Sequence, residues 1–347
     1  MNLEKIDFVL TWVDGGDAVW QEQKNHYLAL ERGEERRDVN GDCRYRENGL
    51  LRYWFRSVEK FAPWVNKVFF ITCGQKPNWL DEANPKLRLV NHSDYIPSGY
   101  LPTFHSNTIE LNLHRIDELS EHFVLFNDDV LLLRAVGPDF FFRDGLPLLS
   151  CDLRLPYGMR YYDNITRIKL NNSCILQTSM DVYGLLWKNW RKNFNVRALG
   201  FRRACKNMVA LWVNKYFMAG EFGHLSHPHL KSTLAEIWEK QPKVMDMTSR
   251  HKFRSDDCVN HWLACAWNMT KGHFNPVHEK CRGREFALSE RTLDEACNAI
   301  RNATCPQICL NDTEANNHPE QCSLAVKKAF QELLPDKSSY ELYDEQV

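Results

Sequence analysis

The sequence lacks any apolar run long enough to cross a bilayer, since a spanning helix needs about 20 such residues. The longest candidate, Phe123 to Leu133, is broken by Asn127, Asp128 and Asp129. The opening residues, Met1-Asn-Leu-Glu-Lys-Ile-Asp7, show no basic stretch followed by an apolar one. That reads as no secretion signal and points to the cytoplasm. Charge of one sign is also missing. Lys and Arg number 44 against 45 Asp and Glu, for a net charge of -1. A balance this even removes the electrostatic case for nucleic acid as a partner. No internal repeat and no low-complexity tract is visible, which argues against solenoid and disordered architectures.

What is present fits a folded enzyme-sized chain. The 347 residues are 44% hydrophobic, enough for one large or two ordinary domains. Ile6 to Trp12 is an apolar, β-prone run that ends in Val13-Asp14-Gly15-Gly16-Asp17, the pattern of a buried strand entering a turn. A helix is expected from about Asp17, with that aspartate as its N-cap. Glu31 to Asp42 is charged and reads as a solvated loop. Glu47 to Phe61 spaces Leu50, Leu51, Trp54, Phe55, Val58 and Phe61 as on one helix face. Lys67 to Cys73, Leu87 to Asn91 and His122 to Asn127 read as further strands, and Asn107 to Arg115 as a helix opened by Asn107 and Glu110. Helices are also expected over Phe201 to Phe217, His229 to Gln241 and Asp256 to Lys271, followed by an α-rich tail from Lys280.

Continuous apolar strands between amphipathic helices predict an α/β fold, a Rossmann-like and mostly parallel sheet flanked by helices, with an α-rich C-terminal half completing the site. Ligands of such sheets sit beyond the carboxyl ends of the strands. Asp14 and Asp17 follow one strand there, and Asp128 and Asp129 follow another.

Each motif has a plain reading beside the chemical one. Asp14 and Asp17 suit a donor or metal site, or simply a turn with a helix cap. Asn127-Asp128-Asp129 suits a hard divalent cation such as Mg²⁺ or Mn²⁺, or a strand-ending turn. His227-Pro228-His229, with His224 nearby, suits a base, a phosphate donor or a ligand set, or a loop before a helix beginning near Leu230. Arg254 precedes Ser255 and Asp256, either of which would cap a helix whose N-terminus favours an anion; an exposed charged loop is the alternative. Twelve cysteines are present. Cys305, Cys309, Cys322 and His318 are a candidate zinc set whose spacing matches no known zinc pattern, with buried thiols as the alternative. The basic helix from Phe201 faces either solvent or an anionic polymer.

Several segments resemble one family in order. IDFVLTWVDGGDAVW (Ile6 to Trp20) is similar to the first conserved region of the Stealth proteins. The stretch from Arg44 to Leu132, with RYRENGLLRYWFRSVEKFAPWVNKVFFIT, HSNTIELNLHRI and FVLFNDDVLL, resembles the second. HPHLKSTLAEIW and KFRSDD, within His227 to Asp257, resemble the third, and ICLND with LLPDKSSYE the fourth. Stealth proteins include bacterial capsular polysaccharide phosphotransferases and the catalytic part of the animal lysosomal-enzyme N-acetylglucosamine-1-phosphotransferase.

The resemblance implies one catalytic unit over 1–347. Residues 1–143 would form the donor and metal half, 144–279 the acceptor-side region with the catalytic His and Arg, and 280–347 a Cys-bearing segment. It implies transfer of a hexose-1-phosphate, with UDP-linked N-acetylglucosamine as the expected donor type, to a hydroxyl of a glycan acceptor. The expected catalytic residues are His229, His227, Arg254 and Asp14. Thr11, Asp17, Asn107, Asp257 and Asn311 would bind the donor, and Asp128 and Asp129 would hold Mg²⁺ or Mn²⁺. Peripheral association with capsule-synthesis machinery is the expected setting. A metal-dependent glycosyltransferase shares the same sheet and acidic site, and a carbohydrate-binding module is the non-enzymatic alternative.

Overall fold

A computed structural model describes residues 5–30, 45, 49–150, 153, 164–213, 222–312, 316 and 318–342. The solvated loop expected over Glu31 to Asp42 lies outside the described residues. Strands β1 (Ile6–Thr11), β2 (Val68–Thr72), β3 (Leu87–Asn91) and β4 (His122–Asn127) fall where the apolar runs predict them. They form a parallel set, extended by β8 (His227–Leu230) in the order β3-β2-β1-β4-β8. Only β8 runs antiparallel, against β4.

Alternation along each strand sorts the core into two layers. Phe8, Leu10, Phe70 and Phe126 face Trp54 and Phe55 of helix α2 (Leu51–Phe61). Val9, Phe69, Ile71, Phe123 and Leu125 face the other way. There they meet α7 (Lys231–Lys240) and α9 (Trp262–Lys271) through Leu234, Ile237, Leu263 and Trp267. Period-2 alternation with helices on both faces is what a buried parallel sheet requires. Asp7 is the one carboxylate inside β1, and it is fully buried. It accepts hydrogen bonds from Asn66 Nδ2 (2.7 Å), the Ser120 amide (2.8 Å) and the Lys67 amide (3.1 Å). These contacts satisfy its buried lone pairs and pin the entries of β2 and β4 beside β1.

The rest of the chain wraps this sheet. Helix α1 (Ala18–Leu30) follows β1, and α3 (Ser106–Leu111) precedes β4. A second sheet, in the order β10-β11-β5, joins β5 (Val130–Leu132) to β10 (Arg284–Ala287) and β11 (Gln307–Asn311). A third joins β6 (Phe142–Arg143), β7 (Leu146–Ser150) and β9 (Asn275–Val277). Helices α4 (Asn164–Ser179), α5 (Val182–Lys188) and α6 (Phe201–Val213) form the middle, with α8 (Pro242–Arg250) after α7. Helices α10 (Glu290–Arg301) and α11 (Pro319–Leu333) cover the tail. Arg56 of α2 grips Glu341 in a buried two-pronged pair at 2.7 and 2.9 Å, which ties the C-terminal segment to the first half.

Two expectations are corrected here. The His-Pro-His segment is an edge strand, not a loop capping a helix, and α7 starts after it at Lys231. Proline is tolerated there because an edge strand has one unpaired side. The helix expected from Asp256 begins at Trp262, with no side-chain cap, so Ser255 and Asp256 do not start it. The tail is α-rich as expected, with the short strands β10 and β11 set among its helices. Among the described residues, no helix is long and apolar enough to cross a membrane.

Candidate functional site

The register places the candidate residues. Thr11 pairs with Asn127 across β1 and β4, and His227 pairs with Leu125 across β4 and β8. The segments bearing Asp14 and Asp128 therefore leave the same edge of the sheet from neighbouring strands. His227 lies two residues back from that edge, and His229, opposite Phe123, lies deeper.

The β1 turn is built from local hydrogen bonds. Asp17 accepts from the Trp20 amide (2.9 Å), the N-cap expected from its position. Asp14 accepts from the Gly16 amide (2.8 Å), and Gln75 clamps the Asp14 backbone through both its amide and its carbonyl. Gly15 is required here by close packing, because a Cβ on it would stand 1.9 Å from the Tyr45 carbonyl oxygen. Both carboxylates are half-buried and keep lone pairs beyond these bonds.

At the end of β4, Asp129 turns inward. Its Oδ2 accepts from the Cys309 thiol (3.4 Å), while Oδ1 is buried with no hydrogen-bond partner. Burial pushes its carboxyl up to about 6. Val130 pairs with Cys309, and the Leu310 amide donates to the Asp129 carbonyl. Continued by one step, this register sets Asn311 near Asp128, a neighbourhood of the second and last quarters that sequence order alone does not show. An orphaned carboxylate oxygen beside a half-buried aspartate fits a hard divalent cation that takes its remaining ligands from phosphate and water.

Arg254 is held from another direction. Its Nη2 donates to Ser106 Oγ at 2.8 Å, so the arginine, which lies in the irregular segment between α8 and α9, points at the start of α3. Ser106 also bonds Glu110, a buried carboxyl lifted to about 7 by desolvation against the pull of Arg254. Beside them His105 is fully buried and held down to about 3 by desolvation. Asn107 is not a cap; its side chain donates to the Val259 carbonyl (3.0 Å) and joins α3 to the segment before α9. Asp257 is more exposed and faces His251 at 3.1 Å.

The imidazoles of β8 and the nearby His261 form a layer in which His229 and His261 are buried and His227 is half-buried. His229 Nε2 lies 3.1 Å from His261 Nδ1, and its other nitrogen, Nδ1, is buried without a partner. The His227 ring stands 5.1 Å from that of His261, and His227 Nε2 donates to the Gly223 carbonyl at 2.8 Å. Desolvation lowers His227 and His229 to about 3 and His261 well below its usual value. All three are therefore neutral at pH 7, and the pair His229–His261 shares one N–H. When His229 donates it, Nδ1 is a bare proton acceptor.

Two groups among the described residues bring metal-ligating atoms within 4.8 Å of one another: His229, His261 and Cys265, and His251, Asp257 and Cys258. In the first, burial drives the Cys265 thiol upward, so it stays protonated, and the two rings already bond each other. Asp128 and Asp129 belong to neither group. The candidate zinc set of the tail does not assemble. Cys309 bonds Asp129, Cys322 bonds Asn316, and His318 pairs with Glu290. These cysteines are buried free thiols.

Sequence reasoning missed His261, His105 and Glu110. Each would have needed the tertiary packing around α3 and α9 to stand out, because what marks them is burial and not their spacing along the chain. The carboxylate at i+3 from Asn107 suggested only a cap.

Family models match the description "Stealth protein CR1, conserved region 1" over residues 4–30 and "Stealth protein CR2, conserved region 2" over residues 44–147. A capsular polysaccharide phosphotransferase WcwK of Streptococcus pneumoniae is 40% identical over 98% of this chain and 99% of its own length. The receptor polysaccharide phosphotransferase WefC of Streptococcus gordonii is 38% identical over 98% of this chain and 100% of its own. The exopolysaccharide phosphotransferase cps2G of Lactiplantibacillus plantarum is 32% identical over 97% and 96%. Similarity of this extent shows that the chain is a phosphotransferase and belongs to the Stealth family.

Proposed function

We propose that the chain moves a hexose-1-phosphate from a nucleotide sugar, of the UDP-linked N-acetylhexosamine type, to a hydroxyl of a growing cell-surface polysaccharide. The observation that carries this reading is the pairing of Thr11 with Asn127, which brings the Asp14 turn and Asp128-Asp129 to one edge of the sheet. Relatives named capsular, receptor and exopolysaccharide phosphotransferases support the polysaccharide acceptor.

The acceptor oxygen attacks the phosphorus that carries the sugar. The bond from that phosphorus to the nucleoside monophosphate breaks, and the monophosphate leaves. The hydroxyl proton goes to a base. His229 serves there because its Nδ1 has no internal partner and its ring is neutral. His261 holds the tautomer by accepting at its Nδ1 from His229 Nε2. Arg254, fixed by Ser106, offers its fork to the equatorial phosphate oxygens. Asp128 and Asp129 would hold Mg²⁺ or Mn²⁺, which when bound neutralises diphosphate charge. Asp14, Asp17, Thr11, Asn107, Asp257 and Asn311 then orient the donor. Positioning and charge stabilisation are the main demands of phosphoryl transfer.

The test is product analysis with a panel of nucleotide sugars, an acceptor glycan and Mg²⁺ or Mn²⁺. Release of UMP from a UDP-sugar is expected. Release of UDP instead would make the protein a glycosyltransferase that attacks the anomeric carbon.

A further inference from the structure

Helix α6 carries an outward apolar stripe that nothing in the proposed reaction uses. Phe201, Met208 and Trp212 recur at i, i+7 and i+11, and so share one face. They are 70%, 45% and 76% exposed. Val209 and Val213 broaden the stripe at 52% and 61% exposure. The opposite face is anchored: Ala204, Asn207, Ala210 and Leu211 are buried, and Asn207 bonds both the Leu153 amide and the Asn193 carbonyl. The exposure is thus a feature of a docked helix. Exposed large apolar side chains grouped in this way mark an interaction surface.

Charge identifies the partner. Between Asp181 and Glu221 the sequence holds eight Lys or Arg and not one Asp or Glu, although the whole chain is balanced at -1. Arg202 and Lys206 are exposed and flank the stripe. A second copy meeting this face would bring the same cations together, which opposes self-association. A soluble polyanion would attract the cations and leave Phe201, Met208 and Trp212 in water. An anionic bilayer satisfies both, because headgroups meet Lys and Arg while Trp and Phe enter the boundary with the acyl chains. A 13-residue helix is about 20 Å long, suited to lying in the interface and too short to span it.

We propose that α6 docks the protein on the surface of an anionic lipid membrane, with Phe201, Met208 and Trp212 inserted and Arg202 and Lys206 at the headgroups. This does not depend on the donor or on the bond broken in the transfer reaction.

The full chain is mixed with vesicles of phosphatidylcholine alone or with added phosphatidylglycerol, then floated on a density gradient. Flotation with the anionic vesicles only is expected, weakened by salt and accompanied by a blue shift of tryptophan emission. Phe201→Ser with Trp212→Ser should lower partitioning more than tenfold while leaving the thermal unfolding midpoint unchanged. Arg202→Glu or Lys206→Glu should lower it separately, by about fivefold for each cation lost. The proposal is overturned by no flotation with either vesicle, by flotation that both sets of variants leave intact, or by binding to a soluble acidic polysaccharide without binding to vesicles.

Discussion

At the end of β1, Asp14 and Asp17 hold their geometry by accepting from amides two and three residues away, at the half-exposed rim of the sheet. Beneath β8, His227, His229 and His261 hold theirs through contacts between rings, and His229 reaches His261 across 32 positions of sequence. The rim's carboxylates are held by near neighbours, with Gln75 clamping the Asp14 backbone from 61 residues away, and they stay near water. The imidazole layer is assembled by the packing of α9 on the sheet and is largely buried. The difference teaches how one site serves two chemical needs. Binding a charged donor calls for groups open to solvent and cation, whereas burial keeps the imidazoles uncharged and ready to accept a proton but disfavours the imidazolium that would form, so a neighbouring anion such as the donor phosphate has to offset that cost. Asp129 stands between the regimes, attached to the rim but turned inward beside Cys309.

Removing the buried base should have the largest effect. His229→Ala is expected to lower turnover by about 10²- to 10⁴-fold, with a thermal midpoint within a few degrees of the parent. Retained turnover would assign proton transfer to Asp14 and so move it from the imidazole layer to the rim. Arg254→Lys keeps the charge but not the fork, and should cost about 10²-fold in kcat/KM. Equal kinetics for the two proteins would remove Arg254 from the phosphate.

Stability against pH separates the regions further. Asp129 has its carboxyl raised to about 6 in the folded protein, above its ordinary 3.8. The folded state then holds the proton more tightly than the unfolded chain, so stability falls as pH rises from about 4 to 6. Asp129→Asn should therefore raise stability at pH 7.5 by up to about 3 kcal/mol and change little at pH 4, as measured by urea unfolding. The same substitution should weaken activation by Mg²⁺. Loss of stability at pH 7.5 would show that the aspartate is not desolvated.

The histidines behave in the opposite sense. Their folded values lie below 6.5, so the unfolded chain binds protons first and stability falls as pH drops below 6.5. His261→Gln keeps a partner for His229 Nε2 and removes one titrating ring. Its acid limb should move to lower pH, with a gain of roughly 2 kcal/mol at pH 5. An unchanged limb would mean that His261 is solvated and protonated in the folded protein.

Much of the first half was legible. The apolar runs located β1, β2 and β4 because a strand buried on both faces needs no polar alternation, the short edge strand β3 was read from the run Leu87 to Asn91, and Asp17 was recognisable as a cap because its carboxylate serves the nearest free amides. The second half was not. His227-Pro228-His229 contains no strong strand former, and it is a strand only because β4 offers it an edge. Arg254 precedes no helix, so its direction toward Ser106 could not be read from its neighbours. Glu110, His105 and His261 became notable through burial, a property of what covers them.

The sequence by itself determined the parallel sheet, the acidic residues at its carboxyl edge and the family, since periodicity, turn chemistry and ordered motifs are written along the chain. The tertiary structure alone decided that His229 meets His261, that Arg254 is held by α3, and that Asp129 loses its water beside Cys309. These depend on segments between 32 and 180 residues apart, and the dehydration that sets their protonation exists only once those segments have packed.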